Sequence, residues 1–183
     1  MPGESFAARA ARFGTWARIG LLWAGCVGCV VAFDLRQHVT RLEAGRDPGP
    51  VPDSRFFYTA AEATAYLDAI GPRGRELFAD TQLTLDLLFP ALYGGLFVSL
   101  VARLCPLRVA RCAVWLPVAA VACDLGENVL LAAAARRFDG RVSDLAAVAA
   151  YCTAAKWVLL GLTGLAIVVG GLSSAVAWLR RDR

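Results

Sequence analysis

The sequence predicts an all-α integral membrane protein, a bundle of four membrane helices with a partly helical outer loop between the first and second. Three observations predict it. Hydrophobic residues fill 58% of the 183 positions and mean hydropathy is +0.55, well above the apolar share of a soluble domain. Four apolar segments, at about 16–33, 83–102, 109–135 and 145–179, are each separated from the next by charge, and each suits a bilayer core of about 30 Å. The net charge is only +4, and arginines gather at segment ends instead of forming a basic face with interleaved aromatics. That pattern excludes nucleic acid and makes membrane lipid the first partner. No internal repeat or low-complexity tract divides the chain, so 1–183 reads as one membrane domain.

The first segment begins at Trp16, and Gly20, Ala24 and Gly28 at spacing four form a small-residue stripe that lets another helix approach closely. Arginines followed by an apolar stretch and Leu22-Trp23-Ala24-Gly25-Cys26 resemble a secretory signal. The run stays apolar through Val30, Val31 and Phe33, so the segment reads as a retained span. After Asp34 comes a loop to about Asp80. Arg46-Asp47-Pro48-Gly49-Pro50-Val51-Pro52 is extended by its prolines. Thr59 and Glu62 then form a capping box that starts a short amphipathic helix with Ala63, Tyr66, Leu67 and Ile70 on its apolar face, stopped by Gly71-Pro72. A further helix starts near Pro72 or Arg73 and, with no breaker from Arg75 to Asp86, is expected to run straight into the second span. The third span is expected from about Val109 to Ala135. The fourth, at about 1.5 Å per residue, exceeds the bilayer core, so it must tilt or protrude.

Orientation follows from arginine. Arg9, Arg12 and Arg18, then Arg103, Arg108 and Arg111, then Arg180, Arg181 and Arg183 lie in short stretches poor in acids, which read as cytoplasmic. The 34–80 connection carries six arginines but eight acids and is assigned outside, although Arg136, Arg137 and Arg141 in the other outward turn pull against this. Trp16, Trp178 and Tyr151 near segment ends fit interfacial anchoring.

Polar residues inside the spans carry the functional signal. Asp86, Asp124, Glu127 and Lys156 lie within apolar segments, where each charge costs on the order of 3 kcal/mol. Asp124, Glu127 and Asn128, at i, i+3 and i+4, share one helix face, as do Asp86, Pro90 and Tyr93 at i, i+4 and i+7. Pro90 has no amide hydrogen, so the Asp86 carbonyl loses its helical partner and becomes a free acceptor. With alternating spans, Asp86, Asp124, Glu127 and Lys156 all fall in the outer half, and Asp34 with His38 is expected to cap that layer. Three carboxyls against one ammonium call for a protonated acid, a bound cation, water, or an arginine such as Arg73 or Arg75 reaching in. The bland alternative is that Lys156 with Asp124 or Glu127 ties two helices together.

Other motifs are weaker. Cys26 and Cys29 have redox spacing, but they sit in an apolar helix, and Cys105, Cys112, Cys123 and Cys152 are scattered as small buried hydrophobes are. His38, the sole histidine, lacks the companions of a metal site. Ser173 and Ser174 read as packing residues. Gly94-Gly95 and Gly170-Gly171 fall within membrane helices, so no nucleotide-binding loop, and no other cofactor motif, is present.

Leu85-Asp86-Leu87-Leu88-Phe89-Pro90-Ala91-Leu92-Tyr93, Asp124-Leu125-Gly126-Glu127-Asn128 and Lys156-Trp157 together resemble a bacterial family of small four-helix membrane proteins to which no activity is attached. The resemblance covers most of the chain beyond Tyr58. It implies four helices in a bacterial inner membrane and marks these polar residues as a family signature, while the arginine distribution puts both termini in the cytoplasm. A looser topological similarity, through Phe33-Asp34-Leu35, is to the sterol isomerase and sigma-2 receptor family, which has four helices and acidic residues in an intramembrane pocket. Three functional classes fit: a scaffold or assembly partner, a binder of a lipid or small amphiphile with or without acid–base chemistry, and a proton or cation handler. Four helices are few for alternating access, so a transporter would require a homo-oligomer.

Overall fold

The computed structural model describes residues 5–45 and 47–181. Arg46 and Arg183 lie outside the described residues, as do the side chains of Trp178, Arg180 and Arg181, so the expected Trp178 anchor and basic C-terminal end fall outside them. Among the described residues all regular structure is helical: α1 (Phe6–Phe13), α2 (Trp16–Ala44), a 3-10 turn (Pro52–Ser54), α3 (Ala60–Ala69), α4 (Gly71–Gln82), α5 (Leu85–Leu104), α6 (Leu107–Ala113), α7 (Trp115–Arg136) and α8 (Asp144–Arg181). Four stretches are long and apolar enough to cross a membrane, namely Trp16–Ala44, Gly71–Leu104, Leu107–Arg136 and Asp144–Ser174. The chain is a multi-pass membrane protein.

Local chemistry sets the boundaries, and it corrects several expectations. An unexpected helix, α1, is capped by the Ser5 hydroxyl on the Ala8 amide (3.3 Å). It ends at Gly14, where a Cβ would lie 2.9 Å from that of Ser99 on α5. The first span does not stop at Phe33. Helix formers continue past Asp34 to Gly45, whose φ of 65° closes the helix. At 29 residues, α2 is about 44 Å long and outruns the bilayer core.

The second span does not continue straight from α4. Leu83 and Thr84 interrupt it, with Thr84 at φ −126° and ψ −80°. The hydroxyls of Thr81 and Thr84 donate to the carbonyls of Leu77 (2.7 Å) and Asp80 (2.6 Å), back-bonds that bend helices. The third span is interrupted at Val114, because Pro117 cannot donate to the carbonyl one turn earlier and clashes with it.

Two apolar cores sit at opposite ends of the bundle. At one end, Tyr58, Leu67, Ile70 and Phe78 of the 34–80 connection bury against Leu131 and a run of alanines on α7 and α8, including Ala135, Ala146 and Ala149. The connection is therefore a folded cap. Its entry is fixed by the capping box: Glu62 accepts from the Thr59 amide (2.7 Å), the Thr59 hydroxyl accepts from the Glu62 amide (3.2 Å), and Arg55 pairs with Glu62 at 2.7 Å. These bonds hold the exposed Glu62 carboxyl down at about 2, the Thr59 amide contributing most. At the other end, Ala7 of α1 packs with Val101, Cys105, Ala110 and Val114.

The spans approach most closely where glycine permits. A Cβ at Gly94 of α5 would lie 2.5 Å from Val121 Cγ2 of α7, and one at Gly170 of α8 2.6 Å from Cys105 Sγ. The expected close approach along Gly20, Ala24 and Gly28 does not occur. All three are exposed, a Cβ at Gly20 or Gly28 would meet nothing within 4 Å, and α5 packs on the adjacent face through Leu92 against Gly25.

Candidate functional site

Between the two cores the bundle turns polar. Lys156 extends from α8 toward α7, where its Nζ lies 2.9 Å from Asp124 Oδ1 and 2.6 Å from Glu127 Oε2. Tyr93 of α5 donates its hydroxyl to Asp124 Oδ2 at 2.8 Å, and the Thr153 hydroxyl, one turn from Lys156, donates to Glu127 Oε1. Spacing explains the convergence: Asp124, Glu127 and Asn128 occupy one face of α7, while Thr153 and Lys156 are three apart on α8. Glu127 and Asn128 are 0% exposed, and Asp86, Tyr93, Asp124 and Lys156 are buried. Burying Asp124, Glu127 and Lys156 is tolerable because each meets an opposite charge or a donor, and removing one partner would strand the rest.

The α5 residues are held from across the bundle. Pro90 leaves the Asp86 carbonyl without a helical donor, and Asn128 Nδ2 of α7 donates to that carbonyl. The Asp86 carboxyl, by contrast, lines a cavity of about 460 Å³. Asp124 and Lys156 reach the same wall, and the rings of Phe33, Phe89, Phe97 and Trp157 supply much of the remainder. Phe89, Tyr93 and Phe97 form a ladder along α5, with centroids 5.4 and 6.0 Å apart, and Phe33 of α2 meets Phe89 edge-on at 5.6 Å. Residues of both α2 and α8 flank the cavity, yet α2 packs along α4 and α5 and makes no extended contact with α8. A side seam results.

Some expected participants stand elsewhere. Asp34 and His38 are exposed on α2 and do not cap this layer. Arg73 pairs with Glu76 (2.8 Å), and Arg75 donates to the Leu67 carbonyl (3.0 Å) and covers the Phe138 ring (4.3 Å), so neither reaches in. All six cysteines are free; Cys26 lies on the cavity wall and Cys29 is buried. Ser174 donates to the Leu104 carbonyl at 2.9 Å, a helix-packing contact. Among the described residues no cluster of three or more His, Cys, Asp or Glu is placed to hold a metal.

Two residues of the site escape a reading by periodicity. Asp53, on the 3-10 turn of the cap, lines the cavity and accepts from Gln82 Nε2 at 2.7 Å. Burial pushes its carboxyl above the usual carboxylate range, although Lys156 and Gln82 pull it partway back. Gln82, 1% exposed, ends α4. It lies four residues before Asp86 and so belongs to the Asp86, Pro90 and Tyr93 face, a signal that a span begun at Leu83 cuts off. Asp53 had no such signal, because nothing local links it to a partner 29 positions away. No family model, curated protein or solved structure matches this chain.

Proposed function

We propose that the chain binds the polar end of a membrane lipid or small amphiphile in its intramembrane cavity. The observation that carries this reading is a 460 Å³ space walled by aromatic rings, with Asp86, Asp124 and Lys156 on its wall. An apolar chamber with a few convergent polar groups is the usual form of a small-molecule site, and ionisable groups at membrane depth are costly enough to demand a use. A seam between α2 and α8 supplies a route for an amphiphile from the bilayer. Gentle purification followed by native mass spectrometry is expected to show a co-purifying amphiphile. A clean spectrum, with no binding of added amphiphile, would sink the proposal.

The same reading places the protein in a bacterial inner membrane with both termini cytoplasmic and the cap outside. It is supported by Arg9, Arg12, Arg18, Arg103, Arg108 and Arg111, which belong to α1, α5, α6 and the start of α2 at the end opposite the cap. Reporter fusions after Arg183 and within 47–51 are expected to report opposite sides; the same side would overturn it.

A second reading, a scaffold without a ligand, is favoured by one observation: Lys156 spends its ammonium on Asp124 and Glu127 and so ties α8 to α7. If that is all the cluster does, neutralising Lys156, Asp124 and Glu127 together leaves every other property of the protein intact.

A further inference from the structure

The nature of the ligand follows from a count of donors and acceptors on the cavity wall. Donors near Lys156 are turned mainly to protein partners: two N–H groups of the ammonium meet Asp124 and Glu127, and the Tyr93 hydroxyl meets Asp124. Acceptor capacity remains on Asp86, Asp53 and Gln82, although Asp53 is partly engaged by Gln82 and the Ser54 amide. Gln82 turns its Nε2 to Asp53, which leaves its buried Oε1 without a partner. Asp86 offers its backbone carbonyl to Asn128, while its carboxyl, in a residue 8% exposed, takes no hydrogen bond or ion pair among the described residues. Asp53 has the Gln82 amide on one oxygen and no ion pair among the described residues. All three line the one cavity.

Acceptors collected in a low-dielectric wall call for a ligand that brings donors, and a buried carboxyl there is held in its charged form only beside a cation. A metal ion suits the site poorly. Among the described residues the acids are not clustered for coordination, and the rings of Phe33, Phe89, Phe97 and Trp157 provide no oxygen for a hard cation. Those rings do suit the apolar body and positive head of an organic cation.

We propose that the ligand is an amphiphile with a protonated amine, whose N–H groups are received by Asp86 and Asp53 while its apolar body lies along the ring-lined wall toward the α2–α8 seam. The inference rests on the cavity's being an amphiphile site and names the head group it takes. The amine has two sources, a free long-chain amine or the head of a zwitterionic phospholipid. Arg36, exposed on α2 and lining this cavity as well as the groove between α2 and α5, is placed to meet a phosphate in the second case.

The test is calorimetric titration of the full chain in phosphatidylcholine nanodiscs with dodecylamine, 1-dodecanol, dodecyltrimethylammonium and lysophosphatidylethanolamine, each below its micellar concentration. Dodecylamine is expected to bind about tenfold or more tighter than 1-dodecanol, as charge-assisted hydrogen bonds in a desolvated site allow. It should also bind more tightly than the trimethylammonium compound, which has no N–H to give. Asp86→Asn should lose most of that preference and keep its affinity for 1-dodecanol. Should that variant fail to fold, Asp53→Asn, on the cap turn, reads the same preference. Tighter binding of lysophosphatidylethanolamine than of dodecylamine assigns the amine to a phospholipid, and the reverse assigns it to a free amine. Equal binding of dodecylamine and 1-dodecanol overturns the amine and leaves the amphiphile site standing. Binding of neither removes that site itself. Displacement of dodecylamine by Mg²⁺ or Ca²⁺ alone overturns the proposal in favour of a metal.

Discussion

Helices α7 and α2 are both apolar enough to cross a membrane, yet they are built to opposite rules. Along its 22 residues α7 buries nine positions, among them Asp124, Glu127 and Asn128. Across 29 residues α2 buries only Ile19, Cys29 and Thr40, and it leaves Leu21, Trp23, Val27 and Val31 exposed. Apolarity therefore does not tell a central membrane helix from a peripheral one, because lipid accepts leucine as readily as a protein interior does. Polar residues do tell them apart, since only a neighbour can satisfy them at that depth.

The contrast breaks most visibly at Lys156. Lys156→Met strands two acids that share its ammonium and is expected to cost about 3–5 kcal/mol, as truncating one member of a buried ion pair does. Adding Glu127→Gln to that variant should recover part of the loss. Denaturant melts in detergent read both, and a single variant as stable as the parent would show that the pair does not hold α7 to α8. Next comes Asn128→Leu, which leaves the Asp86 carbonyl without a donor and is expected to cost about 1–3 kcal/mol in the same assay.

Gly94→Val and Gly28→Val sharpen the comparison at constant chemistry. The first forces a side chain onto Val121 and is expected to cost about 1–3 kcal/mol. The second enters open space on α2 and should change stability by less than about 0.5 kcal/mol. Equal effects would mean that the Gly28 face of α2 is covered in the membrane.

The smallest effects belong to the cap, and they run in opposite directions with pH. Glu62, held near 2, contributes stability that is present above its unfolded value, about 4.3, and is lost as pH falls toward 2. Asp53 is raised by burial, so its contribution is fully present below its unfolded value of about 3.9 and is lost as pH rises through its folded value. Hydrogen exchange of α3 and α4 against pH should show both slopes. Glu62→Gln is expected to remove the acid-side slope and Asp53→Asn the other; slopes that persist in these variants would assign them to other groups.

The four apolar stretches are legible because hydropathy runs continuously along each, and the capping box and the shared face of Asp124, Glu127 and Asn128 because each is written within one or two helical turns. The breaks at Leu83–Thr84 and Val114 were harder. Thr81 and Thr84 act through back-bonds that no hydropathy pattern carries, and Pro117 acts on a carbonyl one turn away inside a continuous apolar run. In α2 charge marks a false boundary, because Arg36, Gln37 and Arg41 are good helix formers that carry the helix on to Ala44. Asp53 and Gln82 meet across a fold that brings a proline-rich loop over the bundle, a long-range event with no local trace.

The tie between Asn128 and the proline-freed Asp86 carbonyl has a mechanical consequence. A helix with a missing internal bond ordinarily has a joint there, but here the vacant bond is made by α7, so flexing α5 at that level means detaching it from its neighbour. With Lys156 fastening α8 to the same partner, three spans behave as one stiff wall. Any breathing that would admit the amphiphile we propose then falls to the side of α2, which packs along α4 and α5 but makes no extended contact with α8 among the described residues.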